Sequence, residues 1–240
     1  MASAWPAGDV RTGDEHLIRT ILLWCFERLY HELAWSYDAV SWLVSGGRWR
    51  EWQRVAASYV FGRDILDVGC GSGRFLGDLL DRDYQAYGLD RSPQMWRRAE
   101  RWLRSRGHPG RIVGGDALEL PFGPATFDCL VLTFPAPFER DPRFWSEAAR
   151  VVRPGGRVVV VEGAASNSRL WPGLLERLWE SRPRQSPFTF PRHLTETPPG
   201  QPSRWSKLSR AEVSGPAGTV WLVVASRNGQ ENSALTDSLE

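Results

Sequence analysis

The chain has 240 residues, with 30 basic and 28 acidic side chains and a formal net charge of +2. That length can bury one good core, so a single α/β domain with additions is the expected organisation. The near-balanced charge commits the chain to no polyanion partner.

Cys25, Cys70 and Cys129 are scattered and free of Cys-x-x-Cys spacing. This points to reduced thiols in a cytoplasmic setting, with no disulfide frame and no zinc site. Neither a signal peptide nor an apolar run near the roughly 18 residues needed to span a bilayer is expected. Of the basic residues only Lys207 is a lysine, which reads as codon bias rather than a nucleic-acid signature.

Residues 1–13 read as a loose tail. From Glu15 to about Phe61 the pattern is mostly helical and dense in aromatics, among them Trp24, Tyr30, Trp35, Tyr37, Trp42, Trp49 and Trp52. Gly46-Gly47 divides it into at least two pieces. Most of these rings are expected to pack N-terminal helices onto a sheet, and part of the segment is a candidate lid. Residues 1–61 therefore form an N-terminal unit ahead of a core at 62–227.

The core opens with D-I-L-D-V-G-C-G-S-G-R-F, Asp64 to Phe75. Ile65, Leu66 and Val68 suit a central strand buried on both faces. Gly69, Gly71 and Gly73 follow, then an amphipathic helix. The turn is expected to present backbone N–H groups to a ligand. A dinucleotide site wants Gly-x-Gly-x-x-Gly, whereas here the third glycine comes one residue early. Asp67, just before the turn, repels a phosphate and holds a cation.

A second strand runs from Tyr84 to Leu89 and ends at Asp90, about twenty residues past the first glycine, where a carboxylate can accept ribose hydroxyls. Ser92-Pro93 starts the next helix, whose Met95, Trp96, Ala99, Trp102 and Leu103 have core spacing. Its arginines (97, 98, 101, 104 and 106) form a solvated face. Arg111 to Gly114 is a third strand, with Asp116-Ala117 beyond its tip. A fourth, Phe127 to Phe134, opens into Pro135-Ala136-Pro137-Phe138. Asp141 to Val152 is a helix, closed by Arg153-Pro154-Gly155-Gly156.

Arg157 to Val161 is a fifth strand with Glu162 at its tip. Ser168 to Glu180 reads as a helix, and 181–203 as a proline-rich acceptor-side flap. Trp205 to Val213 and Gly218 to Ser226 read as an antiparallel hairpin. Residues 228–240 are a polar tail.

Asp67-x-Gly69-x-Gly71-x-Gly73 resembles the first motif of class I S-adenosylmethionine (SAM)-dependent methyltransferases. G-D-A-L-E-L-P-F (115–122) and R-P-G-G (153–156) continue the likeness. Tyr37-Asp38 through Ser41, Ser45, Gly47, Trp49-Arg50 and Trp52 is similar to the N-terminal signature of the ubiquinone/menaquinone-biosynthesis methyltransferases, which carry Asn where Ser41 stands and His where Trp49 stands. The chain keeps Thr133-Phe134 but lacks the Arg-Asn that follows in quinone-ring enzymes.

The resemblance implies a Rossmann-like, doubly wound, mostly parallel seven-stranded sheet with an antiparallel C-terminal hairpin and an N-terminal helical lid. It implies SAM as cofactor, held by Asp67, Gly69, Gly71, Ser72, Gly73, Asp90, Arg91, Asp116, Ala117 and Thr133, with no metal. Asp116 takes the adenine amine in this reading; as a residue alone it is equally a turn former. The acceptor is a small, apolar or aromatic molecule, with no nucleic acid partner, no transmembrane segment and possible peripheral contact with a membrane. Candidates for proton removal are Tyr37, Glu162 and His193, while His31 suits a helix packing surface. Two alternatives stand beside this reading: a methyltransferase fold kept as a scaffold with weakened catalysis, and an RNA or DNA methyltransferase using the arginine-rich helix.

Overall fold

The computed structural model describes Trp42 and residues 45–135, 137–165 and 204–229. The expected tail at 1–13, the helix at 168–180, the flap at 181–203 and most of the polar tail lie outside the described residues. So do Tyr37, Ser41, His31 and His193.

The elements are α1 (Trp49–Ala57), β1 (Asp64–Val68), α2 (Arg74–Leu80), β2 (Gln85–Asp90), α3 (Pro93–Ser105), β3 (Ile112–Gly114) and β4 (Phe127–Thr133). A 3-10 turn (Pro137–Arg140) leads into α4 (Pro142–Val151), followed by β5 (Val152–Ala165), β6 (Trp205–Gly215) and β7 (Gly218–Arg227). One seven-stranded sheet runs in the order β3-β2-β1-β4-β5-β7-β6. Strands β1 to β5 are parallel, and β7 runs antiparallel to both β5 and β6. The fold class expected from the sequence is the one observed.

Sequence chemistry explains the helix starts. Ser92 is extended and its side chain accepts from the Met95 N–H, with Pro93 in the first turn. Asp141 does the same for the Arg143 N–H ahead of Pro142. A short polar side chain that satisfies an orphan donor, followed by a ring that needs none, makes a sharp entry.

The core has two layers, one on each face of the sheet. Ile65, Cys129, Val131, Val159 and Val161 pack against Trp52, Phe75, Leu76, Leu79 and Leu103 from α1, α2 and α3. Leu66, Leu130, Leu132, Val158 and Val160 pack against Phe144, Trp145, Ala148 and Val151 of α4. Period-2 alternation assigns neighbouring residues of one strand to opposite layers, so Asp67 and Thr133 share the face covered by α1.

Strand β5 is longer than the sequence suggests. Val152 already pairs with Phe127, and the register shifts before Cys129 meets Arg157, so Arg153-Pro154-Gly155-Gly156 is an irregular start of the strand rather than a connector. At the other end β5 passes the tip of β4, whose last pair is Thr133 with Val161, and goes on beside β7. Val161 pairs with Leu222 and Gly163 with Trp221, leaving Glu162 as the extra residue of a bulge. Bulges re-aim a side chain at a sheet rim. Glu162 is therefore not the strand's end, although it stands just past the tip of β4.

Candidate functional site

Strand order reverses between β1 and β4, and ligands of open α/β sheets bind where it does, outside the carboxyl ends of the strands. The glycine turn sits there. Gly69, Gly71 and Gly73 have φ of 74°, 53° and 75°, a left-handed run that side chains resist. They differ in what a Cβ would meet. At Gly73 it would come within 2.9 Å of the Ala99 Cβ, so this glycine lets α3 approach the turn. At Gly71 it would meet nothing within 4 Å, and at Gly69 only the edge of the Phe138 ring at 3.9 Å. The turn's open side is at its first two glycines.

Four of the turn's amides are not aimed at a ligand as expected. Gly69 N and Cys70 N donate to the Leu89 carbonyl at 2.8 and 3.0 Å, and Gly73 N donates to the Cys70 carbonyl at 2.9 Å. Gly71 N donates to Asp90 Oδ2 at 2.8 Å. Four donors that could form an anion nest are spent inside the protein. The loop's shape is held by these internal hydrogen bonds.

Two carboxylates line it. Asp90 ends β2 with 1% of its surface exposed. Its Oδ1 accepts from Ser92 N at 2.8 Å while its Oδ2 takes the Gly71 N–H, so it locks the turn to the start of α3. Ser92, not Asp90, caps that helix. Asp67 is equally buried, yet neither of its oxygens has a hydrogen-bond partner. Burial, and secondarily the neighbouring Asp90 charge, pushes its carboxyl up to about 8. A buried carboxylate without donors is costly. A cation brought to this spot supplies what the protein leaves out.

The β4 tip is closed by α1. Gln53 Nε2 donates to Thr133 Oγ1 at 3.0 Å. Phe134, beyond the strand, has φ 53°, a conformation that costs a non-glycine residue about 1–3 kcal/mol. Its ring lies 4.2 Å from Trp49 and 6.4 Å from Trp52, centroid to centroid.

Helix α1 is itself bolted down. Trp52 Nε1 donates to the Ala217 carbonyl at 2.9 Å in the β6–β7 turn, and Arg50 and Arg54 each meet Asp78 of α2 at 2.9 Å. The described part of the candidate lid, α1, is thus bonded to both α2 and the β6–β7 turn. Gln53 carries no motif signal; only its place one turn after Trp49, on the same helix face, could have suggested it.

The third candidate carboxylate behaves differently. Asp116 is exposed, and its Oδ1 accepts the Leu118 N–H at 2.9 Å in a local turn, as a turn former does. The following segment is pinned from α4. Arg150 donates to the Phe122 and Leu120 carbonyls at 2.6 and 2.8 Å, and Glu147 accepts the Leu120 N–H at 2.9 Å. Ala117 and Ser72 are buried and Arg91 is exposed. The described residues thus bring Asp67, Gly69, Gly71, Ser72, Gly73, Asp90, Arg91 and Thr133 to the strand tips around the switch point, with Asp116-Ala117 beyond β3. Among them no group of His, Cys, Asp and Glu could hold a metal ion, and no helix is long and apolar enough to cross a membrane.

The site's chemistry fits SAM, a cationic nucleoside without phosphate. Asp67 offers an unmet buried anion, and four amides of the turn, those of Gly69, Cys70, Gly71 and Gly73, are already bonded and not free for a pyrophosphate.

Comparisons with known proteins agree. Residues 65–156 match a family described as "Methyltransferase domain". The chain is 34% identical over 152 residues to a demethylmenaquinone methyltransferase of Symbiobacterium thermophilum, covering 59% of this chain and 60% of that one. It is 33% identical to the enzyme of the same name from Deinococcus radiodurans, covering 64% and 66%. It is 32% identical to a ubiquinone/menaquinone biosynthesis C-methyltransferase of Paracoccus denitrificans, covering 56% and 57%. The chain thus spans less than two thirds of the length of these relatives.

In fold it is similar to a candidate SAM-dependent methyltransferase of Methanococcus maripaludis, with TM-score 0.60, 19% identity, and 85% and 96% of the two chains covered. A protein of Pyrococcus horikoshii gives TM-score 0.51 at 22% identity, covering 84% and 96%. Residues 65–156, which carry the switch-point turn and its two buried carboxylates, are thus similar in sequence to a methyltransferase domain and in fold to SAM-dependent methyltransferases.

Proposed function

We propose that the protein transfers a methyl group from SAM to a small, lipophilic, quinone-like aromatic acceptor in the cytoplasm, with the acceptor approaching the tip of β4. The observation that carries this reading is Asp67, a buried carboxylate whose two oxygens have no partner, placed just before a turn in which four amides are already bonded. Bound SAM supplies an activated methyl on a sulfonium.

The chain's own part is binding, orientation and exclusion of water. Asp67 neutralises the cation, Asp90 accepts from the ribose, and Gly69 and Gly71 leave open space beside them. On the acceptor side Trp49, Trp52 and Phe134 form an aromatic wall with one polar point, the Gln53–Thr133 pair. Such a wall suits a flat apolar ring carrying an oxygen function. Holding two reactants in line contributes about 7–11 kcal/mol, against about 3–5 kcal/mol from a positioned base. Orientation therefore carries most of the acceleration. Glu162, in the bulge beyond the β4 tip, is the described candidate for a base; Tyr37 and His193 remain candidates on their sequence positions.

The nucleic-acid alternative draws little from the arginine-rich face. Arg74 and Arg106 lie over Trp102 at 4.7 and 5.1 Å, Arg97 lies over Trp96 at 5.3 Å, and Arg104 pairs with Glu100. The test is transfer of radiolabelled methyl from SAM to reduced demethylated quinones of varied side chain. Labelled quinol is the expected result. SAM binding without transfer to any quinol overturns the acceptor assignment and favours a scaffold.

A further inference from the structure

Asp67 and Asp90 are adjacent buried carboxylates with opposite fittings. Asp90 accepts two backbone N–H groups, from Gly71 and Ser92, both at 2.8 Å, and hydrogen bonds of this kind hold a carboxylate in its charged form. Asp67, 1% exposed, accepts none. Its strand partners are Gly88 on β2 and Val131 on β4, both uncharged. The titratable groups that face it are Asp90 from β2 and the Cys70 thiol from the glycine turn. That thiol is pushed up by burial and by both aspartates, so it stays neutral. On the α1 side the polar pair at the tip, Gln53 and Thr133, carries no charge. Of two anions in one dry crevice, the one without donors is the one that takes a proton.

We propose that Asp67 carries a proton while the crevice is empty and surrenders it when a cation binds, so that SAM uptake near neutral pH is an exchange of one proton for one organic cation. This rests on the SAM reading above. The balance is simple: the neutral carboxylic acid and the incoming cation become a carboxylate–cation pair, and the proton passes to the buffer. No other bond forms or breaks.

The exchange gives Asp67 a selective role. A neutral or anionic nucleoside brings no positive charge to take the proton's place and forms no ion pair with Asp67. It also makes apparent affinity depend on pH on the acid side of the titration that burial has raised. There the apparent affinity for SAM rises about tenfold per pH unit and then levels.

The test is isothermal titration of the full chain with SAM at pH 6.5, in two buffers of different ionisation enthalpy, whose heat difference counts the protons released. The expected result is close to one proton per SAM for the wild-type chain and close to none for Asp67→Asn. Should the variant bind too weakly to titrate, the wild-type affinity measured from pH 5.5 to 8.5 decides, and a steady rise on the acid side is expected. SAM binding with no buffer dependence and a flat pH profile overturns the exchange while leaving the cofactor assignment intact. Absence of any saturable heat, in any buffer, overturns the cofactor reading itself and the exchange with it.

Discussion

Gln53 of α1 reaches Thr133 at the end of β4, its amide donating to the hydroxyl at 3.0 Å, and so joins the N-terminal helix to the strand tip nearest the switch point. One turn earlier on the same helix, Trp49 lies 4.2 Å from Phe134. The aromatic wall at the β4 tip, the proposed acceptor side, is therefore made by two distant pieces of chain. Trp49→Ala is expected to raise the acceptor KM at least severalfold while leaving the SAM dissociation constant within about twofold. The loss of a stacked pair is worth about 0.5–1.5 kcal/mol beyond area burial. Steady-state kinetics beside SAM titration checks it, and an equal loss in both would place Trp49 in the cofactor half.

Asp90, the proposed ribose acceptor, also has a scaffolding part, since it holds the turn and the α3 entry together through Gly71 and Ser92. Replacing it with Ala leaves two buried N–H groups unsatisfied, each at about 1–3 kcal/mol. Asp90→Ala is expected to lower stability and to weaken SAM binding tenfold or more. Urea melts and calorimetry check both effects, and a variant that loses neither would remove Asp90 from the site.

Asp67 sets a stability trend. Its carboxyl sits at about 8 in the folded chain against 3.8 as the ordinary value. Between these two values the folded state binds more protons than the unfolded one, so this group makes stability fall as pH rises through that window. Asp67→Asn without ligand is expected to be the more stable chain at pH 8.5, with the difference closing toward pH 4. Thermal melts across that range test it.

Buried thiols are inert. Cys70 and Cys129 are both buried, and burial raises both, Cys129 to about 12. The thiolate is the reactive form. Neither is expected to be alkylated by iodoacetamide at pH 8 until the chain unfolds, as peptide mass spectrometry would show. Rapid native labelling of Cys70 would mean that the turn opens.

Much of this arrangement is legible in the residues. Short apolar runs ending in glycine or aspartate mark β1 and β2, and Ser92-Pro93 and Asp141-Pro142 mark two helix starts, because the forces that set them are local. Extension of β5 through Arg153-Pro154-Gly155-Gly156 is not legible, since it depends on pairing with Phe127 across the sheet. Gln53, the bulge at Glu162 and the φ of Phe134 are hidden for the same reason: each is fixed by contacts between distant segments. The amides of the glycine turn mislead in a different way. Glycine spacing advertises a cradle, but only the structure shows that Leu89, Cys70 and Asp90 already accept those hydrogen bonds.

Everything about the cofactor follows from a crevice that offers an unmet anion beside a turn with four amides already bonded. Parallel titration of the wild-type chain with SAM and with NAD tests that most directly. One saturable SAM site and no heat from NAD are expected; saturable NAD binding with none for SAM would contradict it.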